Sequence, residues 1–168
     1  MRKLTLVLLL IVVLVPATQA LAQNDPLTDV GFRGWGPRVG ITMDPDQFHF
    51  GAHVDFGNFA EHVRFQPNVE VGIGDDLLLV ALNAEAAYRF ASRWDVWTPY
   101  LGGGFGLIFV SLDNAPEGVD NSDTEFGVSV LGGIEKGLAN GHRFFLEGKI
   151  GLADAPDFKA TAGWTFFH

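Results

Sequence analysis

The chain has 168 residues, 11 Lys and Arg against 20 Asp and Glu for a formal net charge of −9, and no cysteine. So acidic a chain repels a phosphate backbone, so no nucleic acid is expected among its partners. The missing thiols exclude a disulfide framework and a thiolate metal site, and the length suits one domain.

The first element reads as an export signal. Arg2 and Lys3 form a short basic region, Leu4 to Val15 is apolar apart from Thr5, and Pro16 breaks the run. Ala20-Leu21-Ala22 then supplies small residues at the two positions a signal peptidase reads. Residues 1–22 are therefore expected to be a signal peptide cleaved after Ala22, with Ala20 as the alternative; the run is too short and wrongly flanked for a spanning helix. Residues 23–168 offer no stretch of ~18 apolar residues, so no transmembrane helix is expected to follow. Without the signal the chain holds nine basic against twenty acidic residues, a net −11.

Residues 23–34 read as a polar leader and 35–168 as a single β-barrel domain. Eight segments, 35–43, 47–56, 63–73, 77–90, 97–111, 124–136, 143–153 and 157–167, alternate apolar with small or polar residues between turn signals. Val39 and Ile41 mark the apolar phase of the first, Phe48 to Phe56 in steps of two the second, and Phe65, Pro67, Val69, Val71 and Ile73 the third. In the fourth, "ALNAEAAYRF" also fits a helix by propensity. A period of two sustained over eight segments predicts antiparallel β throughout. In the fifth, "TPYLGGGFGLIF" puts Gly102, Gly104 and Gly106 on the face opposite Leu101, Phe105 and Leu107, where small residues leave room for long partners inside a narrow barrel.

The opposite phase carries almost every strand charge: Arg38, Arg64, Glu70, Glu85, Arg89, Glu135, Glu147, Lys149 and Lys159, with His49, His53 and Asp55. A soluble sandwich or lipocalin would turn its apolar phase inward instead. Two features decide between the arrangements. Trp35, Phe59, Tyr88, Phe90, Trp94, Trp97, Tyr100, Phe144, Trp164 and Phe166 gather toward one set of strand ends, and Phe48, Phe109, Phe126 and Phe158 toward the other. Aromatic belts flanking aliphatic centres are what a membrane-spanning barrel needs at its two interfaces. The presumed outer connections, "DPDQ", "GDD", "DNAPEGVDNSDTE" and "ADAPD", contain no Lys or Arg, whereas Arg93, Lys136 and Arg143 are assigned to the inner connections. The expectation is an all-β, eight-stranded antiparallel transmembrane up-and-down barrel, with the charges inside as a plugging network of ion pairs.

"WTPYLGGGFGL", "GVSVLGGIEKGL" and "FFLEGKIGLADAPDFKATAGWTFF" resemble the strands of the outer-membrane β-barrel domain family, the small OmpA/OmpX-type barrels. The resemblance runs from about Gly34 to the end. It implies an eight-stranded barrel in a Gram-negative outer membrane, both termini in the periplasm, and a closing strand read by the outer-membrane assembly machinery. In this sequence that signal would comprise Gly163, Trp164, Phe166 and His168, with His168 where Phe is usual. The resemblance carries over no catalytic residue.

Chemistry in the strands is limited. His49 and His53 share a face, but four residues along a strand span about 13 Å, too far for two ligands of one zinc. A lipid-modifying enzyme, one alternative function, would need a nucleophile–base pair; Ser111, Ser122, Ser129 and His49 are available, and no motif places them. Asp44, Asp46, Asp75, Asp76, Asp154 and Asp157 at the outer rim are candidates for Ca²⁺ or Mg²⁺, hard ions that prefer oxygen, which would bridge the rim to lipopolysaccharide; no other cofactor is expected. The functional expectation is a monomeric, non-enzymatic integral outer-membrane protein with a structural or surface-interaction role. Its partners would be outer-membrane lipid and lipopolysaccharide. The other alternative is a soluble periplasmic lipocalin-like barrel binding an apolar ligand.

Overall fold

The computed structural model describes residues 29–74, 77–112, 122–153 and 155–168. The signal peptide, and the rim carboxylates Asp75, Asp76 and Asp154, lie outside the described residues. Nine strands follow in order: β1 (Asp29–Met43), β2 (Gln47–Ala60), β3 (Val63–Phe65), β4 (Asn68–Gly74), β5 (Leu77–Arg89), β6 (Thr98–Leu112), β7 (Ser122–Gly137), β8 (Arg143–Ala153) and β9 (Phe158–Phe167). Each pairs antiparallel with its neighbours, and β1 pairs with both β2 and β9, so the sheet closes. Because β3 and β4 both lie between β2 and β5, the circumference holds eight strand positions. Among the described residues, closure leaves no unpaired sheet edge. The Ala-rich fourth segment, β5, is a strand; its full pairing with β6 from Leu77↔Leu112 to Arg89↔Tyr100 overrides helix propensity.

Two boundaries differ from the sequence reading. The third segment is interrupted at Gln66-Pro67, since proline has no N–H for the ladder. The backbone bonds continue around it: the Val54 N–H donates to the Pro67 carbonyl at 2.9 Å and the Gln66 N–H to the Glu85 carbonyl at 2.8 Å. Likewise, β1 begins at Asp29, inside the stretch read as a leader. There Asp29 and Val30 pair with Asn58 and Gly57 after a register shift that leaves extra residues in β1. Gly57 adopts φ +74°, a left-handed conformation suited to glycine, and the Asp55 carboxylate accepts its N–H at 2.8 Å. A bulge hides a strand from a strict period-two count, which explains the misread leader.

The barrel is apolar outside and polar inside. Among the described residues, the buried set has eighteen polar or charged side chains and seven apolar ones. Val39, Ile41, Phe50, Leu101, Phe105, Leu107, Val130, Leu146 and Ile150 stand exposed on the outer wall. The apolar phase therefore faces away from the interior, and the lipocalin arrangement is not the one observed.

The short connections at one end are Glu61-His62, 90–97 and 138–142; they define the short-turn end, with the Asp44–Asp46 turn and residues 155–157 at the acidic end. Aromatic pairs collect toward the short-turn end: Trp35 on Phe166 (5.9 Å), Tyr88 on Phe90 (5.3 Å), Trp97 on Phe144 (6.2 Å) and Phe144 on Trp164 (4.7 Å). Tyr100 does not belong to this belt as the sequence reading has it, because it is buried in the interior. Its parity with Gly102 and Gly104 turns it inward. Lys136 and Arg143 are also not connection residues. Lys136 sits in β7 with Nζ 4.9 Å from the Trp97 ring centroid, and Arg143 opens β8 with its side chain buried inside.

Candidate functional site

Among the described residues, charged side chains converge in the interior, and its layers follow from strand register. Nearest the acidic end Leu79, Ala81 and Ile108 form a small apolar cluster with Ala155 packed against it. Next comes a charge cluster centred on Arg38. Its cross-strand neighbours are Gly51 on β2 and Gly163 on β9, so neither cross-strand partner has a side chain to crowd it. Arg38 Nη2 donates to Glu147 Oε1 at 2.7 Å and Nη1 to Glu85 Oε2 at 3.4 Å, while Nε lies 3.2 Å from Glu70 Oε1 without hydrogen-bond alignment. Lys149 Nζ bonds Glu85 Oε1, Lys159 Nζ donates to Glu70 Oε2 at 2.6 Å, and the Tyr100 hydroxyl donates to Glu147 Oε2 at 3.0 Å. Three cations thus face three carboxylates. Opposite Glu85 and Asn83 on β5 stand Gly104 and Gly106 on β6. A Cβ on Gly104 would come within 2.8 Å of Glu85 Cγ, which is the physical use of that glycine row.

An apolar layer of Ala87, Tyr100, Leu131 and Phe145 separates this cluster from a second one. Arginines cap it on both sides, Arg38 at 5.8 Å over the Phe145 ring and Arg64 at 5.3 Å over the Tyr100 ring. In the second cluster Glu135 receives Arg64 Nη1 and Arg89 Nε (2.7 Å), with Arg143 Nε 3.6 Å away. Arg143 Nη2 donates to Asp55 Oδ2 at 2.5 Å and to Thr165 Oγ1 at 3.1 Å. Here three cations face two carboxylates.

The structure thus brings Arg38, Glu70, Glu85, Glu147, Lys149 and Lys159 into one group and Arg64, Arg89 and Glu135 into another. Arg143, Tyr100 and Asp55 complete these groups, and the sequence reading gave the first two other roles. Parity with Phe145 and with Gly102 was the signal available for them, masked by their position at strand ends.

His49 and His53 do not form a ligand pair. Both His49 ring nitrogens are engaged, Nδ1 with Thr42 Oγ1 at 2.9 Å and Nε2 with Thr161 Oγ1 at 3.0 Å. His53 Nε2 meets Thr165 Oγ1 at 2.9 Å, and its ring stands edge-on to Phe145. Neither nitrogen of His49 is left to act as a base for a serine. Asp44 and Asp157 are adjacent at the acidic end, where the Asp157 N–H donates to the Asp44 carbonyl at 3.3 Å. Among the described residues no group of three His, Cys, Asp or Glu is placed to hold a metal ion.

On the closing strand Trp164 points outward onto Phe144, and Phe166 packs between Trp35 and the His142 ring. The His168 ring stacks on Phe32 at 5.8 Å, and the His168 backbone N–H donates to the Arg33 carbonyl. Gly163 faces inward beneath the fully buried Phe145, and a Cβ there would lie within 3 Å of two ring carbons and 3.1 Å from a third. Gly163→Val is therefore expected to lower unfolding stability by about 1–3 kcal/mol through overpacking, with Phe145→Leu in the same chain restoring part of the loss. Denaturant titration followed by tryptophan fluorescence checks both, and an additive double variant would contradict the contact.

Fold and interior together define a closed eight-stranded antiparallel barrel with a charged core and an apolar outer wall. The structure is similar to the crystal structure of Neisserial surface protein A (NspA), with TM-score 0.63 and 16% identity over 82% of this chain and 96% of that one. It is also similar to the N-terminal β-barrel domain of Pseudomonas aeruginosa OprF, with TM-score 0.57 and 14% identity over 81% of this chain and 98% of that domain. At such identities the likeness is one of fold. No family model matches the chain, and no curated protein matches it in sequence.

Proposed function

We propose that this chain is an integral outer-membrane β-barrel protein with a structural or surface-interaction role. In this reading it is exported by its N-terminal signal, seated in lipid by its outer wall and without enzymatic activity. The observation that carries the reading is the inverted distribution of polarity. Exposed Ile41, Phe50, Leu101, Phe105, Leu107 and Ile150 form an apolar surface that water does not favour, while Arg38, Glu70, Glu85 and Glu147 are buried. Such a barrel satisfies all its backbone groups internally, as the hydrocarbon core requires. The likeness to Neisserial surface protein A supports the surface-exposed part of the reading.

Fractionation of cells expressing the full chain tests it. The protein is expected in the outer-membrane fraction, running at a faster, compact position on gels until boiled; recovery in the soluble periplasm with no heat-dependent mobility would end the proposal. The neutral cluster around Arg38 spans the interior, so the lumen is expected to conduct little. Planar-bilayer recording that finds large, stable channels would refute a plugged lumen.

A further inference from the structure

We infer that the cavity at the short-turn end is a binding site for a small oxyanion, a carboxylate or phosphate group that completes the counter-charge of the second cluster. The cavity measures about 630 Å³ and opens between the start of β1 and the turns that join β5 to β6 and β7 to β8. Arg64, Arg89, Arg93 and Arg143 line it, together with Asp55 and Glu135.

The two interior clusters differ in a way that points to a ligand. Around Arg38 three cations meet three carboxylates. Around Glu135 the three guanidinium groups of Arg64, Arg89 and Arg143 meet two. Of the three, Arg89 has a side chain 38% exposed and lines the cavity, so the unmatched positive charge is presented at that opening. Arg64 and Arg143 are both more than nine-tenths buried and form the inner wall of the cavity; the Nε of each is sealed from solvent without a hydrogen-bond partner, so an anion would add its charge close to them and take its direct bonds from the more exposed arginines.

The rim is itself balanced, Arg33 and Arg93 against Asp29 and Asp95, so the surplus of the inner cluster is carried through to the whole cavity. Arg93 is exposed and makes no ion pair among the described residues. Arg33 pairs with Asp29, and Asp95 in the exposed turn before β6 offsets Arg93 in charge. Counting every Lys, Arg, Asp and Glu that lines it, the cavity holds five arginines against four carboxylates, in a chain of net charge −9. His142 lines it too; its Nδ1 accepts the Phe167 N–H at 3.3 Å, which leaves the proton of the neutral ring on Nε2, a further donor. Guanidinium forks match the planar oxygens of a carboxylate or phosphate, and a partly enclosed site strengthens such charge-assisted bonds.

This site stands on cavity geometry and does not require the membrane reading, so each can fail alone. The test is calorimetric titration of the full chain, folded in maltoside micelles that carry no phosphate, with sodium phosphate, sodium acetate and sodium chloride. Saturable binding of phosphate or acetate is expected, weakening as ionic strength rises. The tighter of the two identifies the ligand as phosphate- or carboxylate-bearing. Arg93→Ala, which touches no interior pair, is expected to weaken binding about fivefold. Asn58→Asp places a carboxylate in the same cavity, on the strand register opposite Arg64. It is expected to abolish anion binding and to raise the unfolding midpoint, a gain that a merely structural asparagine would not yield. No saturable binding to wild type, equal binding of chloride, or wild-type affinity in both variants would overturn the site.

Discussion

Replacing Arg38 by methionine is expected to cost about 3–5 kcal/mol of folding stability, the usual penalty for removing one partner from a buried ion network. The side chain is 0% exposed, and its guanidinium is the sole group in contact with all three carboxylates of its cluster. Without it, Glu70, Glu85 and Glu147 share only Lys149 and Lys159. The loss should therefore shrink when a carboxylate is removed as well: Arg38→Met with Glu147→Gln is expected to be more stable than the sum of the single changes predicts. The Tyr100 hydroxyl can still donate to the amide oxygen at position 147 in that double variant. Urea titration in lipid vesicles, read by tryptophan fluorescence, measures the cycle. A loss below about 1 kcal/mol for Arg38→Met would place it among ordinary surface substitutions and dismiss the network as a source of stability.

The second large effect lies on the outer wall. Phe105 is the middle residue of β6, 57% exposed and stacked on Phe126. If the wall faces lipid, Phe105→Arg puts a charge near the bilayer midplane and should cost about 2–4 kcal/mol in vesicles. Phe105→Leu, which loses the ring but stays apolar, separates the stacking loss, expected at about 0.5–1.5 kcal/mol. On a water-exposed wall the arginine would cost no more than the leucine, within about 0.5 kcal/mol of it. Arg and Leu variants of equal stability would remove lipid from that face.

Much of this molecule was legible from alternation. Arg38, Glu70, Glu85, Glu147, Lys149 and Lys159 could be assigned to the interior because side chains in a strand alternate strictly between faces. Parity fails where the strand is irregular. The bulge between Val30 and Gly34, opposite Gly57, concealed the start of β1, and Pro67 broke the third strand without breaking its phase. Tyr100 and Arg143 were misplaced for a related reason. Each lies within three residues of a strand end, where an aromatic suggests an interface and a cation a turn, although each continues the inward phase of its strand.

By itself, then, the sequence determined that the chain is a set of two-faced antiparallel strands, and which residues share each face. That information is local, carried by a period of two. The tertiary structure alone decided which charges meet. Residues 109 positions apart, such as Arg38 and Glu147, come to one level only when the barrel closes and the stagger of its strands is set. The same closure divided the interior into a neutral cluster and a positively unbalanced one. No count along the chain distinguishes them, because the balance depends on which side chains fall on either side of the Tyr100–Phe145 layer.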